Sequence, residues 1–176
     1  GAKAWSAIAN FPNLKVVQLL MAGYEEALPH MRKGVRLCNA RGVHDQSTAE
    51  LGVALMASHF LGIKMYIKNM ESGKWDGAQR DSLYGKKVAI IGAGSVGTRI
   101  KEMLEIFKVE ITFFARSARD GVFAITELQN RIQEFDAVVL ILPLTSESRN
   151  LITSKELGMM KKGALLVNLA RGPVVN

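Results

Sequence analysis

Cysteine is almost missing from this chain: Cys38 is the only one among 176 residues. A single thiol cannot close a disulfide within the chain. Its apolar neighbours read as the surroundings of a buried, reduced thiol, which suits a cytoplasmic setting. Long apolar runs are missing too. None reaches the roughly 20 residues that a membrane helix needs, so no membrane partner is expected. No leader-peptide pattern opens the chain, which begins at Gly1 inside what reads as the tail of a helix; the expectation is that the true N-terminus lies upstream. Lys and Arg outnumber Asp and Glu by 23 to 16, a net charge of +7. Yet no basic run is interleaved with aromatics, so nucleic acid is not an expected partner. A solvated basic surface that attracts anionic ligands is the reading instead. Low-complexity segments and long internal repeats are absent as well. What remains, 48% apolar and 22% charged residues, is enough for a sizeable core and one full domain, or one domain with part of another.

The rest of the chain is organised around Val88-Ala89-Ile90-Ile91-Gly92-Ala93-Gly94-Ser95-Val96-Gly97. An apolar run enters G-x-G-x-x-G, and an amphipathic pattern follows with Val96, Ile100, Met103, Leu104 and Phe107 on one face. Strand, glycine turn and helix in that order are the context of a dinucleotide-binding fingerprint; a tight turn without ligand is the alternative. Gly92 permits the turn, Gly94 leaves room for a pyrophosphate, and Gly97 lets the helix pack close to the strand. The helix N-terminus presents N–H groups and positive dipole to phosphate.

Residues 4–10 read as the end of a helix stopped near Pro12, followed by strands over Leu14–Leu20 and Val35–Cys38. Ser47-Thr48-Ala49-Glu50 is a capping-box pattern, so a long helix is expected from Ser47 to about Ser72. Apolar residues fall on nearly every face of it, which predicts burial on several sides, between domains or against another subunit. A polar linker, Gly73–Gly85, leads into regular alternation. Strands are expected over Lys87–Ile91, Val109–Ala115, Ala137–Leu142 and Ala164–Leu169. Between them lie a helix to about Phe107, one opened by Thr126-Glu127-Leu128-Gln129, and one capped by Thr153-Ser154-Lys155-Glu156 with Lys161 and Lys162 near its end. Alternation of this kind implies a parallel sheet with right-handed crossovers.

In such a sheet, ligands bind beyond the carboxyl ends of the strands, where strand order reverses. Three segments are expected at that rim: Gly92–Gly97, Leu142-Pro143-Leu144-Thr145 and Asn168-Leu169-Ala170-Arg171-Gly172. The end of the second strand discriminates between cofactors. NAD enzymes usually carry Asp or Glu there for the ribose hydroxyls; this chain has Ala115-Arg116-Ser117-Ala118-Arg119. Arg116, Ser117 and Arg119 suit a 2′-phosphate, so NADP is favoured with NAD as the alternative; a pair of solvated arginines is the competing account. Arg171 is the candidate catalytic residue. Its guanidinium can grip a carboxylate with two hydrogen bonds and polarise a neighbouring carbonyl, or it is a surface ion-pairing arginine.

Taken together, Asn39-Ala40-Arg41-Gly42 with Ala49-Glu50, the glycine turn, Leu142-Pro143-Leu144-Thr145 with Leu151-Ile152, and Val167-Asn168-Leu169-Ala170-Arg171-Gly172-Pro173-Val174-Val175 resemble the D-isomer-specific 2-hydroxyacid dehydrogenases from about Leu14 to the last residue. The resemblance implies an α/β protein, a doubly wound, Rossmann-like parallel sheet with part of a second, flavodoxin-like substrate domain. It divides the chain into a substrate-domain remnant (1–44), a long helix and linker (45–85) and an NAD(P)-binding domain short of its last strand (86–176). It further implies hydride transfer between NAD(P)H and a small 2-oxo acid, by a homodimer assembled through the long-helix region. Arg171 matches the family's substrate-binding catalytic arginine, and Ala22 and Gly23 match the loop that binds the substrate carboxylate through its N–H groups. Ser95 and Val96 correspond to pyrophosphate contacts beside Gly92, Gly94 and Gly97, and Leu142, Pro143, Leu169 and Ala170 to the nicotinamide lining. The segment 115–119 is similar to glyoxylate and hydroxypyruvate reductase branches that use NADPH; phosphoglycerate oxidation is the rival activity. No metal is expected. The family's glutamate and histidine follow the arginine segment, and the chain stops at Asn176, where the family usually has Asp; the expectation is an incomplete piece without turnover of its own. A dinucleotide-sensing binding protein on the same scaffold, similar to corepressors that recruit partners, is the reading from another class.

Overall fold

The computed structural model describes residue 5 and residues 7–176; residues 1–4 and 6, where the first expected helix begins, lie outside the described residues. Ala7–Asn10 is a 3-10 turn. The chain divides into two compact units, Gly1–Gln46 and Ser47–Asn176.

In the first unit, β1 (Val16–Gln18) and β2 (Arg36–Cys38) pair in parallel, Val17 opposite Leu37. Both are shorter than the apolar runs that announce them. A two-stranded ladder covers little of its own side chains, and Cys38 is half-buried, not buried as its apolar neighbours suggest.

The second unit opens on helices that differ from the single long helix expected. Helix α1 runs from Asp45 to Phe60, starting two residues before Ser47, and α2 from Ile63 to Glu71. Gly62, at φ +68°, separates them: its N–H closes on His59 O at 3.1 Å, and its own carbonyl then accepts Met65 N–H at 2.9 Å. Glycine takes this left-handed conformation without steric cost, so a continuous apolar pattern still breaks here. Within this chain only Ala49, Gly52, Met56 and Phe60 of α1 are buried, one stripe at helical spacing. Leu51, Leu55, Met65, Ile67 and Met70 are exposed.

Five parallel strands form the sheet, in the order β5-β4-β3-β6-β7. They are β3 (Lys87–Ile91), β4 (Glu110–Ala115), β5 (Val122–Ala124), β6 (Ala137–Leu140) and β7 (Leu165–Asn168). This is the doubly wound order, with its reversal between the central β3 and β6. The strands alternate sides with a period of two. Val88, Ile90, Ala137, Val139 and Val167 face α1 and α3 (Ser95–Leu104), burying Met56, Phe60, Ile100 and Leu104. Ala89, Ile91, Phe114, Val138 and Leu140 face the opposite layer with Leu128, Ile132, Phe135, Ile152 and Val174. Burial on both faces is what an all-parallel sheet demands; each fully buried Ile or Leu contributes about 1.5–3 kcal/mol.

Two connections differ from the expected pattern. The strand β5 carried no readable period in three residues, and the crossover into it (residues 116–121) is a tight turn, Arg119 and Val122 exchanging N–H···O bonds of 3.0 and 2.8 Å around Gly121. Thr126 does not cap the following helix. The Glu127 carboxylate reaches back to the Ala124 N–H at 3.1 Å, over a 3-10 turn before α4 (Leu128–Arg131), while Gln129 donates to Glu156 at 2.7 Å. By contrast, Thr153 does cap α5 (Ser154–Met159): its hydroxyl accepts from Lys155 N and the Glu156 carboxylate accepts from Thr153 N at 2.9 Å. Lys161 reaches past that helix to Asp136, 2.9 Å away.

Candidate functional site

The carboxyl rim of the sheet is joined by a row of backbone bonds beyond the strands. Gly92 N–H donates to Phe114 O (2.8 Å), Ile141 N–H to Ile91 O (2.8 Å) and Leu169 N–H to Leu140 O (2.9 Å). The glycine turn, the Leu142–Thr145 loop and the Asn168–Gly172 loop therefore leave one edge side by side, with neighbouring strands about 4.8 Å apart. The structure brings these three segments together, and the β4 exit with them.

Each glycine of the turn answers to a different constraint. Gly92 sits at φ +124°, and a Cβ there would lie 2.1 Å from Ile141 O, so any side chain collides with the neighbouring strand. A Cβ on Gly97 would come within 2.4 Å of Gly92 O, which records how closely α3 packs on the turn. Gly94 differs. It is exposed, and a Cβ built on it would meet no protein atom within 4 Å, so nothing in the chain itself requires glycine there. A cradle that a methyl group would fill, directly below the first turn of α3, fits a pyrophosphate resting on backbone. The N–H groups of Ser95 and Val96 belong to that first turn, which has no carbonyl of its own to bond, and the helix dipole adds positive potential.

Arg119 is built into the same place. Its backbone is fixed by Val122, and its guanidinium donates to Ala93 O at 2.9 Å, tying the β4 exit to the glycine turn. Arg116 and Ser117 lie exposed on the loop between them. Two guanidinium groups and a hydroxyl beside the turn are a donor set for a phosphorylated ribose.

The loop after β6 is held by a residue that sequence reasoning passed over. Ser148 is buried; its hydroxyl accepts the Thr145 N–H at 2.7 Å and donates to Pro143 O at 2.8 Å, while Arg149 N–H bonds Thr145 O at 3.0 Å. The spacing Thr145-x-x-Ser148 is the available signal, since hydroxyl side chains so placed close local turns. Pro143 is exposed, and Leu142 is half-buried against the α4–α5 layer.

After β7, Asn168 forms its own turn: Oδ1 accepts Ala170 N–H at 3.0 Å and Nδ2 donates to Arg171 O at 2.9 Å. This presents Arg171 at the rim, exposed, its guanidinium donating to Ala170 O at 2.9 Å. Leu169 turns inward, where a Cβ on Gly52 would meet its Cδ1 at 2.8 Å; Ala170 packs on the other face. What these two offer a ligand is their partly exposed surface and backbone. Extended pairing follows, Ile152 N–H to Val174 O at 3.1 Å and Asn176 N–H to Ile152 O at 2.9 Å.

The histidines are elsewhere. His59, the only one in the second unit, has Nε2 3.4 Å from Gly163 O, at the amino edge of the sheet. His44 Nε2 lies 3.0 Å from Leu20 O in the first unit, and His30 ends a 3-10 turn. In the first unit the exposed Ala22 and half-buried Gly23 sit on a loop stapled to the exit of β2: Asn39 Nδ2 donates to Ala22 O at 2.7 Å and Ala40 N–H to Met21 O at 3.1 Å. Among the described residues no cluster of His, Cys, Asp and Glu could hold a metal ion, and no helix is long and apolar enough to cross a membrane.

Comparison with known proteins agrees with this geometry. Residues 53–176 match the family model described as D-isomer specific 2-hydroxyacid dehydrogenase, NAD binding domain. A glyoxylate reductase of Pyrococcus horikoshii is 32% identical over 188 residues, covering 95% of this chain and 55% of that protein. Among solved structures, a D-isomer specific 2-hydroxyacid dehydrogenase family protein from Aeromonas salmonicida superposes with a TM-score of 0.90 at 26% identity, over 99% of this chain and 58% of the other. One from Xanthobacter autotrophicus, solved in complex with NADPH and MES, gives 0.81 at 26% identity, over 96% of this chain and 56% of its own. The chain thus spans little more than half the length of the relatives it matches.

Proposed function

The chain belongs to the D-isomer-specific 2-hydroxyacid dehydrogenase family, and on that premise we propose that the protein carrying it is an NAD(P)-dependent oxidoreductase acting on a small 2-oxo or 2-hydroxy acid. The best-supported activity is reduction of glyoxylate or hydroxypyruvate with NADPH. The observation that supports it is the bonded row joining Phe114, Gly92, Ile91, Ile141, Leu140 and Leu169, which brings the glycine turn and the Arg171 loop to one rim.

A nicotinamide dinucleotide supplies the hydride; the chain's residues bind and orient. The Gly94 cradle with the Ser95 and Val96 N–H groups holds the pyrophosphate, and Gly92 and Gly97 keep the turn close to the sheet. Arg116, Ser117 and Arg119 take the ribose 2′-phosphate, which favours NADP over NAD. Leu142, Pro143, Leu169 and Ala170 flank the nicotinamide and exclude water from one side of it. Arg171 grips the substrate carboxylate in a fork and draws electron density from the C2 carbonyl, stabilising charge that develops on its oxygen. In the first unit, the N–H groups of Ala22 and Gly23 are the proposed carboxylate-binding donors, on a loop whose carbonyls are already held by Asn39 and Ala40. The proton for that oxygen does not come from His59, which is bonded at the opposite edge of the sheet.

Homodimerisation through α1 and α2 belongs to the same proposal, supported by exposed Leu51, Leu55, Met65, Ile67 and Met70 on those helices. So does the cytoplasmic setting expected from the lone thiol. The direct test follows NADPH and NADH oxidation by the whole protein with glyoxylate, hydroxypyruvate and phosphohydroxypyruvate. NADPH with glyoxylate or hydroxypyruvate is the expected pair. Preference for the phosphorylated acid moves the assignment to phosphoglycerate metabolism, a strong NADH preference removes the role given to Arg116 and Arg119, and no reduction of any of the three sinks the reading.

A further inference from the structure

The β6 loop brings a carboxylate to the cationic end of the rim. We propose that Glu147 opposes the 2′-phosphate at Arg116 and so sets how far this chain prefers NADP(H) over NAD(H). The inference rests on the cofactor reading above and assigns a specificity-determining role to a residue outside the glycine turn and the arginine loop.

Three observations support it. First, β4 and β6 flank β3, with Phe114 and Leu140 both in register with Ile91, so the 116–119 turn and the 141–148 loop emerge on either side of the glycine turn. Second, the backbone on both sides of Glu147 is fixed. Buried Ser148 ties Thr145 and Pro143, and Arg149 N–H closes on Thr145 O, so the short loop that carries Glu147 is held in place at the rim. Third, Arg119 is anchored on Ala93 O, whereas Arg116 has no such anchor among the described residues and is the cation whose charge reaches the Glu147 carboxyl. Hydrogen bonds from Thr145, from the Glu147 backbone N–H and from Ser146 hold that carboxyl below the usual carboxylate range, and Arg116 adds to the effect. Glu147 therefore stays ionised at neutral pH.

The consequence follows from Coulomb's law. A 2′-phosphate arriving at Arg116 brings close to two negative charges into the field of the Glu147 carboxylate, and at an exposed site such a repulsion changes affinity by about three- to tenfold. A ribose 2′-hydroxyl brings none and is indifferent. Glu147 thus weakens NADPH selectively, by repelling the phosphate and by competing with it for Arg116, and the chain's cofactor preference is the balance of Arg116 against Glu147.

The experiment measures NADPH and NADH dissociation constants for wild type, Glu147→Gln, Arg116→Gln and the double variant, by calorimetry or nucleotide fluorescence, with thermal melts confirming folding. Glu147→Gln is expected to tighten NADPH about three- to tenfold and leave NADH within twofold. In the Arg116→Gln background that gain should shrink, because part of it is release of Arg116. An unchanged NADPH-to-NADH ratio in Glu147→Gln, with both nucleotides bound, overturns this inference and leaves the cofactor reading standing. A gain of the same size in both backgrounds also overturns it, since Glu147 then acts without Arg116. Failure of wild type to bind either nucleotide overturns the cofactor reading itself.

Discussion

The two edges of one sheet have been built for opposite purposes. At the amino edge, charges are matched: Lys86 with Asp81 at 2.6 Å, Lys161 with Asp136 at 2.9 Å, Lys87 with Glu110 at 3.8 Å. Asp136 also accepts the Lys87 N–H at 2.8 Å, and Lys86 lies over the Phe60 ring at 5.3 Å. At the carboxyl rim, Arg119 instead donates to the backbone carbonyl of Ala93. A carbonyl orients a guanidinium without neutralising it. The amino edge spends its charge on the fold, whereas the bond from Arg119 to a carbonyl at the rim is the arrangement that the proposed anion site needs. Substitutions at the two edges should therefore separate into losses of stability and losses of binding or turnover.

The exception, and the largest effect, is a rim glycine that serves both. Gly92→Ala forces an L-residue to φ +124° with its methyl 2.1 Å from Ile141 O. Backbone strain and overpacking together are worth about 4 kcal/mol. Chemical denaturation should report that loss, and nucleotide affinity should fall with it. Gly94→Ala is the control: its methyl meets no protein atom, so the melt should be unchanged while NADPH binding is lost. A Gly94→Ala chain that binds as well as wild type would refute the cradle.

Next in size is Arg171→Lys in the whole protein. Lysine keeps the charge but not the fork, and turnover should drop about a hundredfold, near 2.7 kcal/mol of transition-state stabilisation. The melting temperature should hold, since Arg171 is exposed. Unchanged turnover would remove Arg171 from the mechanism.

At the amino edge the expected signature reverses. Burial alone would raise the Asp136 carboxyl, but the Lys87 N–H and the Lys161 ammonium outweigh it and hold the group below its ordinary value. A folded value beneath the unfolded one means a contribution to stability that is complete above the unfolded carboxyl pKa of about 3.9 and is lost as pH falls through the lower, folded value. Asp136→Asn should cost about 1–2 kcal/mol at neutral pH and leave nucleotide affinity unchanged. The gap to wild type should close below about pH 4. A gap that persists in acid would mean that shape, not charge, is what Asp136 supplies.

Much of this contrast can be read before folding. The strand β3, the glycine turn and the Thr153 cap are local: each needs only its own few residues, and each stands where its pattern puts it. The partners of a charge are not local. Asp136 meets Lys161 across 25 residues and Glu156 meets Gln129 across 27, and no periodicity records such pairs. The break at Gly62 escaped for a related reason, because the apolar pattern continues through it while the backbone does not. For the site, the residue types at the rim were legible. The anchoring of Arg119 on Ala93 and the turn closed by Ser148 depend on distances between loops that sequence spacing does not encode.

The smallest expected effect sharpens the comparison most, because one kind of substitution can be made at both edges. Glu110 and Glu147 are both exposed carboxylates on the sheet's ends, each in the field of a basic side chain. Glu110 meets Lys87 at 3.8 Å with the two side chains 70% and 52% exposed, so water screens most of the attraction. Glu110→Gln should change stability by less than about 0.5 kcal/mol and leave NADPH affinity unmoved. Glu147→Gln should be equally silent in the melt, yet shift the NADPH-to-NADH ratio. Stability cannot distinguish these two substitutions; a ligand can, because only at the rim does a third charge arrive. If Glu110→Gln shifted the cofactor ratio as far as Glu147→Gln, the effect would belong to net charge and the division between the edges would fail.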